Sequence, residues 1–251
     1  MSHYLLSALS LNSISGLHLQ SEGLIMTPAR IAAIADVHSP RYLHDFQVAL
    51  LNHEVPDLLL FAGDMINRGK VDEYINIIDA VESQLGRDFP ILACFGNEEP
   101  LKCQNEIKKT TKGFITFLDD KSQTLNLAGS AITVIGVSGT TIESSRSYIG
   151  ALEELQTTFE KRALRLSGLL QKASNSSDYV ILLMHFSPLL ENDPNRFSWW
   201  VEKVVENCPP NLIIHGHIHD GIQHEVRIGA TVIRNVALPA TGRVTEMNLP
   251  H

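Results

Sequence analysis

The chain has 251 residues, 44% of them hydrophobic and 19% charged, a profile that excludes a disordered chain and fits one large α/β domain. Acidic residues outnumber basic ones by 28 to 20, and the resulting formal charge of −8 disfavours a dedicated nucleic-acid binder. No stretch approaches the roughly 20 uninterrupted apolar residues of a membrane span. Cys94, Cys103 and Cys208 lack CxxC spacing, which argues against a disulfide framework or a cysteine zinc site and makes a reducing cytoplasm the expected compartment.

Residues 4–19 are apolar but broken by Ser7, Ser10, Asn12, Ser13, Ser15 and Gly16, with no basic lead, so they make a poor signal peptide. Residues 1–25 read as a flexible extension, and Met26 opens a single domain over 26–251. An apolar run over 31–35 then leads into Asp36, 58–62 into Gly63 and Asp64, and 91–95 into Gly96 and Asn97. Further on, 180–184 leads into His185, and 212–214 into His215, Gly216 and His217. Runs of this length bounded by Gly and Pro predict strands buried on both faces. Helical spacing predicts helices over about 41–53, 71–85, 151–174 and 197–207, clearest where Leu152, Leu155, Phe159, Leu166 and Leu170 recur. A strand over 132–137 precedes Thr140, Thr141 and Arg146, which are read as a plain loop or a lining of the substrate side. Beyond His219, short runs over 221–228, 231–236 and 243–247 predict an antiparallel continuation, hence mixed sheets.

Strands alternating with helices imply a largely parallel sheet, whose ligands bind beyond the carboxyl ends of its strands. Polar residues sit at five such ends: Asp36-x-His38, Gly63-Asp64, Gly96-Asn97, His185 and Gly216-His217-x-His219. Singly, each has a bland reading as a helix cap, a turn residue or a core histidine. On an extended segment His217 and His219 would point to the same side. Jointly they form a set of carboxylates, imidazoles and an amide suited to two cations, which can activate water and clamp a phosphoryl group when about 3.5–4 Å apart.

In this order the five motifs resemble those of the calcineurin-like metallophosphoesterases, over about residues 29–247. The resemblance implies a four-layer αββα sandwich of two mixed β-sheets. It also implies one metal held by Asp36, His38, Asp64 and His219, with Asp64 bridging to a second held by Asn97, His185 and His217. A metal-bridging hydroxide would attack phosphorus in line. Manganese is favoured by the resemblance, and a nitrogen and oxygen set without thiolate also suits Fe, Zn²⁺ or Ni²⁺.

The segment from Gly63 to Gly69 is similar to the Gly-Asp-x-x-Asp-Arg-Gly of the phosphoprotein phosphatase branch, with Asn67 in place of the second Asp. Arg68 is therefore the candidate phosphate contact, against the bland reading of a solvated loop arginine. Most members carry Gly-Asn-His-Asp/Glu where this chain reads Gly96-Asn97-Glu98-Glu99. A carboxyl group near two cations keeps its charge, so Glu98 is a weak general acid. It either turns from the substrate, contacts a metal or its water, or leaves the proton to another group. With Asp64, Asn97 and Glu98 as the catalytic set, a phosphodiester is a better substrate than a monoester. A small ester such as a nucleotide or cyclic nucleotide is implied. The rival reading is a catalytically weak scaffold of the same fold, like the retromer scaffold subunit, which retention of all seven ligands opposes. A nuclease is disfavoured by acidity and the lack of a second domain, and homo-oligomerisation stays open. Leu189 to Asn195 would rim the site, and one of Trp199 and Trp200 would be core. His3, His18, His44, His53, His215, His224 and His251 carry no motif and read as structural or surface residues.

Overall fold

Alternation within the apolar runs decides where each layer of the fold packs. A computed structural model describes residues 28–51, 53–137, 149–220 and 224–249. The expected N-terminal extension, and Thr140, Thr141 and Arg146, lie outside the described residues. In chain order the elements begin β1 (Ala29–Ile34), α1 (Leu43–Leu50), β2 (Leu58–Ala62), α2 (Glu73–Leu85), β3 (Ile91–Cys94), α3 (Leu101–Thr110) and β4 (Ile115–Phe117). They continue with β5 (Lys121–Leu127), β6 (Ser130–Gly136), α4 (Ile149–Ser174), β7 (Tyr179–Leu183), β8 (Leu189–Leu190) and β9 (Asp193–Phe197). The last are α5 (Trp199–Val205), β10 (Leu212–His215), β11 (Glu225–Ile228), β12 (Thr231–Asn235), α6 (Leu238–Thr241) and β13 (Thr245–Leu249).

Two large sheets result, in the orders β13-β1-β2-β3-β4 and β11-β12-β10-β7-β6-β5. β1, β2 and β3 run parallel, as do β6, β7, β10 and β12, while β13, β11 and β5 add antiparallel edges. The sheets are mixed, as expected. Ile31, Ala33, Leu58, Leu60, Leu92 and Cys94 from one sheet meet Ile132, Val134, Ile181, Leu183, Leu212 and Ile214 from the other. The alternate residues face outward onto helices. Ile34, Leu59, Phe61 and Ala93 pack with Phe46 of α1, Tyr74 and Ile77 of α2 and Ile107 of α3. Ile135, Val180, Leu182 and Ile213 pack with Leu166 and Leu170 of α4 and Val201 of α5. A period of two places every apolar residue of these strands in one of two cores, which gives the αββα layering and the continuous apolar runs. Among the described residues no helix is long and apolar enough to cross a membrane.

The elements that periodicity did not predict are polar or short. In α3 only Cys103, Gln104 and Ile107 are buried, too few for a stripe. β5 is an edge strand without a fully buried residue, a usual property of edges exposed to solvent. β8 and β9 form a small hairpin within the segment expected to rim the site. Trp199 is exposed while Trp200 packs against the α4–α5 core, which matches the expected division of the pair.

The inter-sheet core sets the stability of the whole. Leu60→Ala should cost about 3 kcal/mol, read as a lower urea midpoint at unchanged slope, whereas Leu164→Ala on the exposed face of α4 should stay within about 0.5 kcal/mol. Equal effects of the two would contradict this layering.

Candidate metal centre

The parallel strands of both sheets deliver their following loops to one edge of the sandwich. Asp36 lies beyond β1, Asp64 beyond β2 and Asn97 beyond β3, on adjacent strands of the first sheet. His185 follows β7 and His217 and His219 follow β10, adjacent in the second. Asp36 Oδ1 is 2.9 Å from His219 Nε2 and 3.6 Å from His38 Nε2. Asp64 Oδ2 is 3.3 Å from His185 Nε2 and 3.9 Å from His38 Nε2. Asn97 Oδ1 is 3.0 Å from His185 Nε2, and the His217 ring lies 5.1 Å from that of His185. Among the described residues two groups of donor atoms, each within 4.8 Å of one another, emerge: Asp36 with His38 and His219, and Asp36 with Asp64 and His185. Asp36 is common to both, while Asp64 stands between His38 and His185.

Left-handed backbone concentrates here. Of the seven non-glycine residues with such φ values among the described residues, five are Asp36 (60°), His38 (45°), Asp64 (51°), Arg68 (51°) and His217 (71°). Such conformations cost of order 1–3 kcal/mol each and persist only where surroundings enforce them. The extended conformation expected for Gly216 to His219 is not what forms. Ile218 N–H donates to Gly216 O at 2.9 Å, a γ-turn around His217. His217 is thereby turned toward His185 and Phe186, while His219 reaches Asp36 and His38. The histidines serve the same edge through a turn rather than through strand alternation.

Three acidic residues enforce these turns. Glu99, fully buried, accepts from Asp64 N–H (3.1 Å), Met65 N–H (2.9 Å), Gly96 N–H (2.7 Å) and the Tyr74 hydroxyl (2.6 Å). Glu98 Oε2 accepts from Arg68 N–H at 2.6 Å, and Glu98 N–H donates to Asp64 Oδ1 at 2.8 Å. Asp36 Oδ2 accepts from His217 N–H at 2.8 Å. Two glycines are needed for close approach, since a Cβ on Gly96 would be built into the Asp64 carboxylate and one on Gly216 into that of Asp36.

Electrostatically the site consists of buried anions facing imidazoles. Burial alone would raise the Asp36 carboxyl, but the His219 bond and the charge of His185 hold it well below the usual carboxylate range. Burial works against charge on His185 too, yet the bond to Asp64 and the charges of Asp64 and Asp36 lift its pKa to about 9. The Asp36 bond raises His219, whereas burial and then His185 lower His217. Burial and the Asp64 charge push Glu99 up against its N–H donors and Tyr74.

The donor set fits a divalent cation. His38 Nε2 is buried and has no hydrogen-bond partner among the described residues. His185 Nδ1 sits 3.0 Å from the Ala62 carbonyl, which fixes the proton there and leaves Nε2 as a ligand atom. Among the described residues that Nε2 faces only acceptors, Asp64 Oδ2 and Asn97 Oδ1, an arrangement that needs a proton or a cation between them. His215 and Glu99 had no assigned role in sequence; the acid ending Gly96-Asn97-Glu98-Glu99 was the only visible signal for the latter.

The sequence profile described as calcineurin-like phosphoesterase matches residues 29–221. No curated protein matches by sequence. Among solved structures, the TT1561 protein of Thermus thermophilus is similar with a TM-score of 0.55 at 14% identity, over 89% of this chain and 100% of that one. GAP50, described as the anchor in the inner membrane complex of Plasmodium, is similar at 0.56 and 11% identity, over 85% of this chain and 73% of that one. The sulfate thiohydrolase SoxB of Thermus thermophilus is similar at 0.54 and 15% identity, over 89% of this chain and 57% of that one. At these identities the structures share the fold.

Tyr74→Phe removes one of four donors to Glu99 and should cost about 1.5–3 kcal/mol, the range for a bond to a charged group, in urea unfolding. A neutral result would show that Glu99 does not depend on this hydroxyl. The metal-free protein should also be pH-sensitive. Because the His185 pKa is raised from 6.5 to about 9 on folding, its pairing stabilises fully below pH 6.5 and that contribution is lost as pH rises through about 9. Unfolding in a chelator should show this fall, and His185→Asn should flatten it; a flat wild-type profile would contradict the assignment.

Proposed function

Because the chain belongs to the calcineurin-like phosphoesterase family, we propose that it is a metal-dependent phosphodiesterase that holds two divalent cations at the strand ends. The observation that carries this reading is the convergence of buried Asp36, Asp64 and His185 with His38, whose Nε2 is buried without a partner among the described residues. Asp36, His38, Asp64 and His219 would hold one cation, and Asp64, Asn97, His185 and His217 the other, with manganese favoured. Divalent cations bound there would supply an acidified water and neutralise charge on the phosphoryl oxygens.

The remaining tasks fall to side chains. Ala62 O fixes the His185 tautomer, and Glu99 fixes the Asp64 turn. Glu98 occupies the place of the histidine usual in relatives, and its Oε2 accepts from Arg68 N–H. That contact supports the first of its three options, a brace turned to the 66–69 turn. The brace holds Arg68 left-handed at an exposed position, from which its guanidinium would meet a phosphate oxygen. A site without the usual proton donor suits an ester whose leaving oxygen needs little protonation, such as an aryl or cyclic nucleotide diester. The likeness to GAP50, together with Glu98, favours the scaffold reading to a lesser degree, since a scaffold has no need of buried acids facing imidazoles.

The test is a hydrolysis panel with Mn²⁺, Ni²⁺, Zn²⁺ and Mg²⁺ on a bis-aryl phosphodiester, an aryl monoester and 2′,3′- and 3′,5′-cyclic nucleotides. Turnover should be highest on diesters with Mn²⁺, and Asp64→Ala, which would remove a shared ligand of the cations that neutralise developing charge, should lower it by about 10²–10³-fold. A metal-loaded protein inactive across the panel would favour the scaffold.

A further inference from the structure

A cavity of about 690 Å³ opens beside His217, between the β8–β9 hairpin and the β11–β12 hairpin. The size lies within the range of small-molecule sites, about 300–1,000 Å³. Phe186, Leu190, Pro194, Val226 and Ile233 give it an apolar lining. His217 forms part of the wall, and its ring meets Phe186 at 4.7 Å on one side and His185 at 5.1 Å on another. His217 is thus shared between the cavity wall and the candidate metal centre. Its charge is one-sided: Glu191 and Asp220 line it, and no lysine or arginine stands among the described lining residues. His224 also lines it, and its Nδ1 is buried without a partner among the described residues.

We infer that this cavity receives the organic group of the phosphate ester and selects an uncharged, apolar or aromatic one. The inference rests on the phosphoesterase reading and narrows its substrate class. A phosphoryl group at the strand ends would project its substituent past His217 into an apolar space, where burial of hydrocarbon drives binding. A second phosphate would meet Glu191 and Asp220 instead of a cation, so polyphosphates and nucleic-acid backbones are selected against. A hydrogen-bonding atom on the organic group would satisfy His224 Nδ1, a buried polar atom that otherwise loses its solvation.

The experiment is calorimetric binding of methylphosphonate and 1-naphthylmethylphosphonate to the Mn²⁺-loaded full chain. The naphthyl compound should bind roughly tenfold or more tightly, from the apolar area it buries. Leu190→Trp, which fills the cavity, should erase that difference and leave methylphosphonate affinity unchanged. Pro194→Glu, at an exposed position of the β8–β9 hairpin, should do the same should the tryptophan variant fail to fold. Equal wild-type affinities would overturn the inference and leave the phosphoesterase reading standing. A preference that survives both substitutions would place the organic group elsewhere and overturn it too. Binding of methylphosphonate alone would overturn the inference, and binding of neither phosphonate would overturn the phosphoesterase reading and the inference with it.

Discussion

Glu99 accepts hydrogen bonds from the N–H groups of Asp64, Met65 and Gly96 and from the Tyr74 hydroxyl, so one buried carboxylate ties the turn after β2 to the turn after β3 and both to α2. A buried charge of this kind persists only when donors replace water. Here they do, and the consequence is positional. Asp64 and Asn97 lie on these two turns, and neither could face His185 if the turns separated. Losing the Glu99 carboxylate would leave three N–H groups without a partner in the interior, at about 1–3 kcal/mol for each. The anion therefore acts on the site through the backbone, at one remove from any ligand.

Carboxylate-to-backbone bonds of this kind recur through the cluster of left-handed residues. Asp36, His38, Asp64, Arg68 and His217 adopt φ values that β-carbons resist. Three of them are held by a carboxylate, Asp64 by Glu99, Arg68 by Glu98 and His217 by Asp36, and Asp36 and His38 donate to the Gly63 and Asp64 carbonyls. Strain and its restraint lie together at the strand ends and are nearly absent elsewhere, where only Asp120 and Ala128 share the conformation among the described non-glycine residues. The sandwich supplies the stiffness. Two cores share every central strand, so a loop that begins at Asp36 or Asp64 starts from a fully buried platform.

Much of this was legible in the amino-acid order. Runs such as 58–62 announced buried strands because every residue in them faces one of two cores. The five polar clusters announced the site because parallel strands end on the same side. Less legible were α3 and β5, whose solvent-facing residues mask any period. The γ-turn at His217 was hidden because strand alternation and a turn can both bring two histidines to one edge, and only the backbone distinguishes them. The brace formed by Glu98 was hidden for a different reason. A carboxylate beside expected metal ligands suggests chemistry, while its partner, the Arg68 N–H, is a main-chain group that sequence cannot single out. The role of Glu99 was concealed likewise, since three of its four partners are backbone.

The central claim is that these acids and imidazoles together bind two cations. Anomalous X-ray scattering from crystals of the protein grown with Mn²⁺ addresses it most directly. Two peaks about 3.5–4 Å apart are expected, one within bonding distance of Asp36, His38 and His219 and the other of Asn97, His185 and His217, with Asp64 between them. No peak at the strand ends, or a peak whose ligands exclude Asp36 and Asp64, would contradict it.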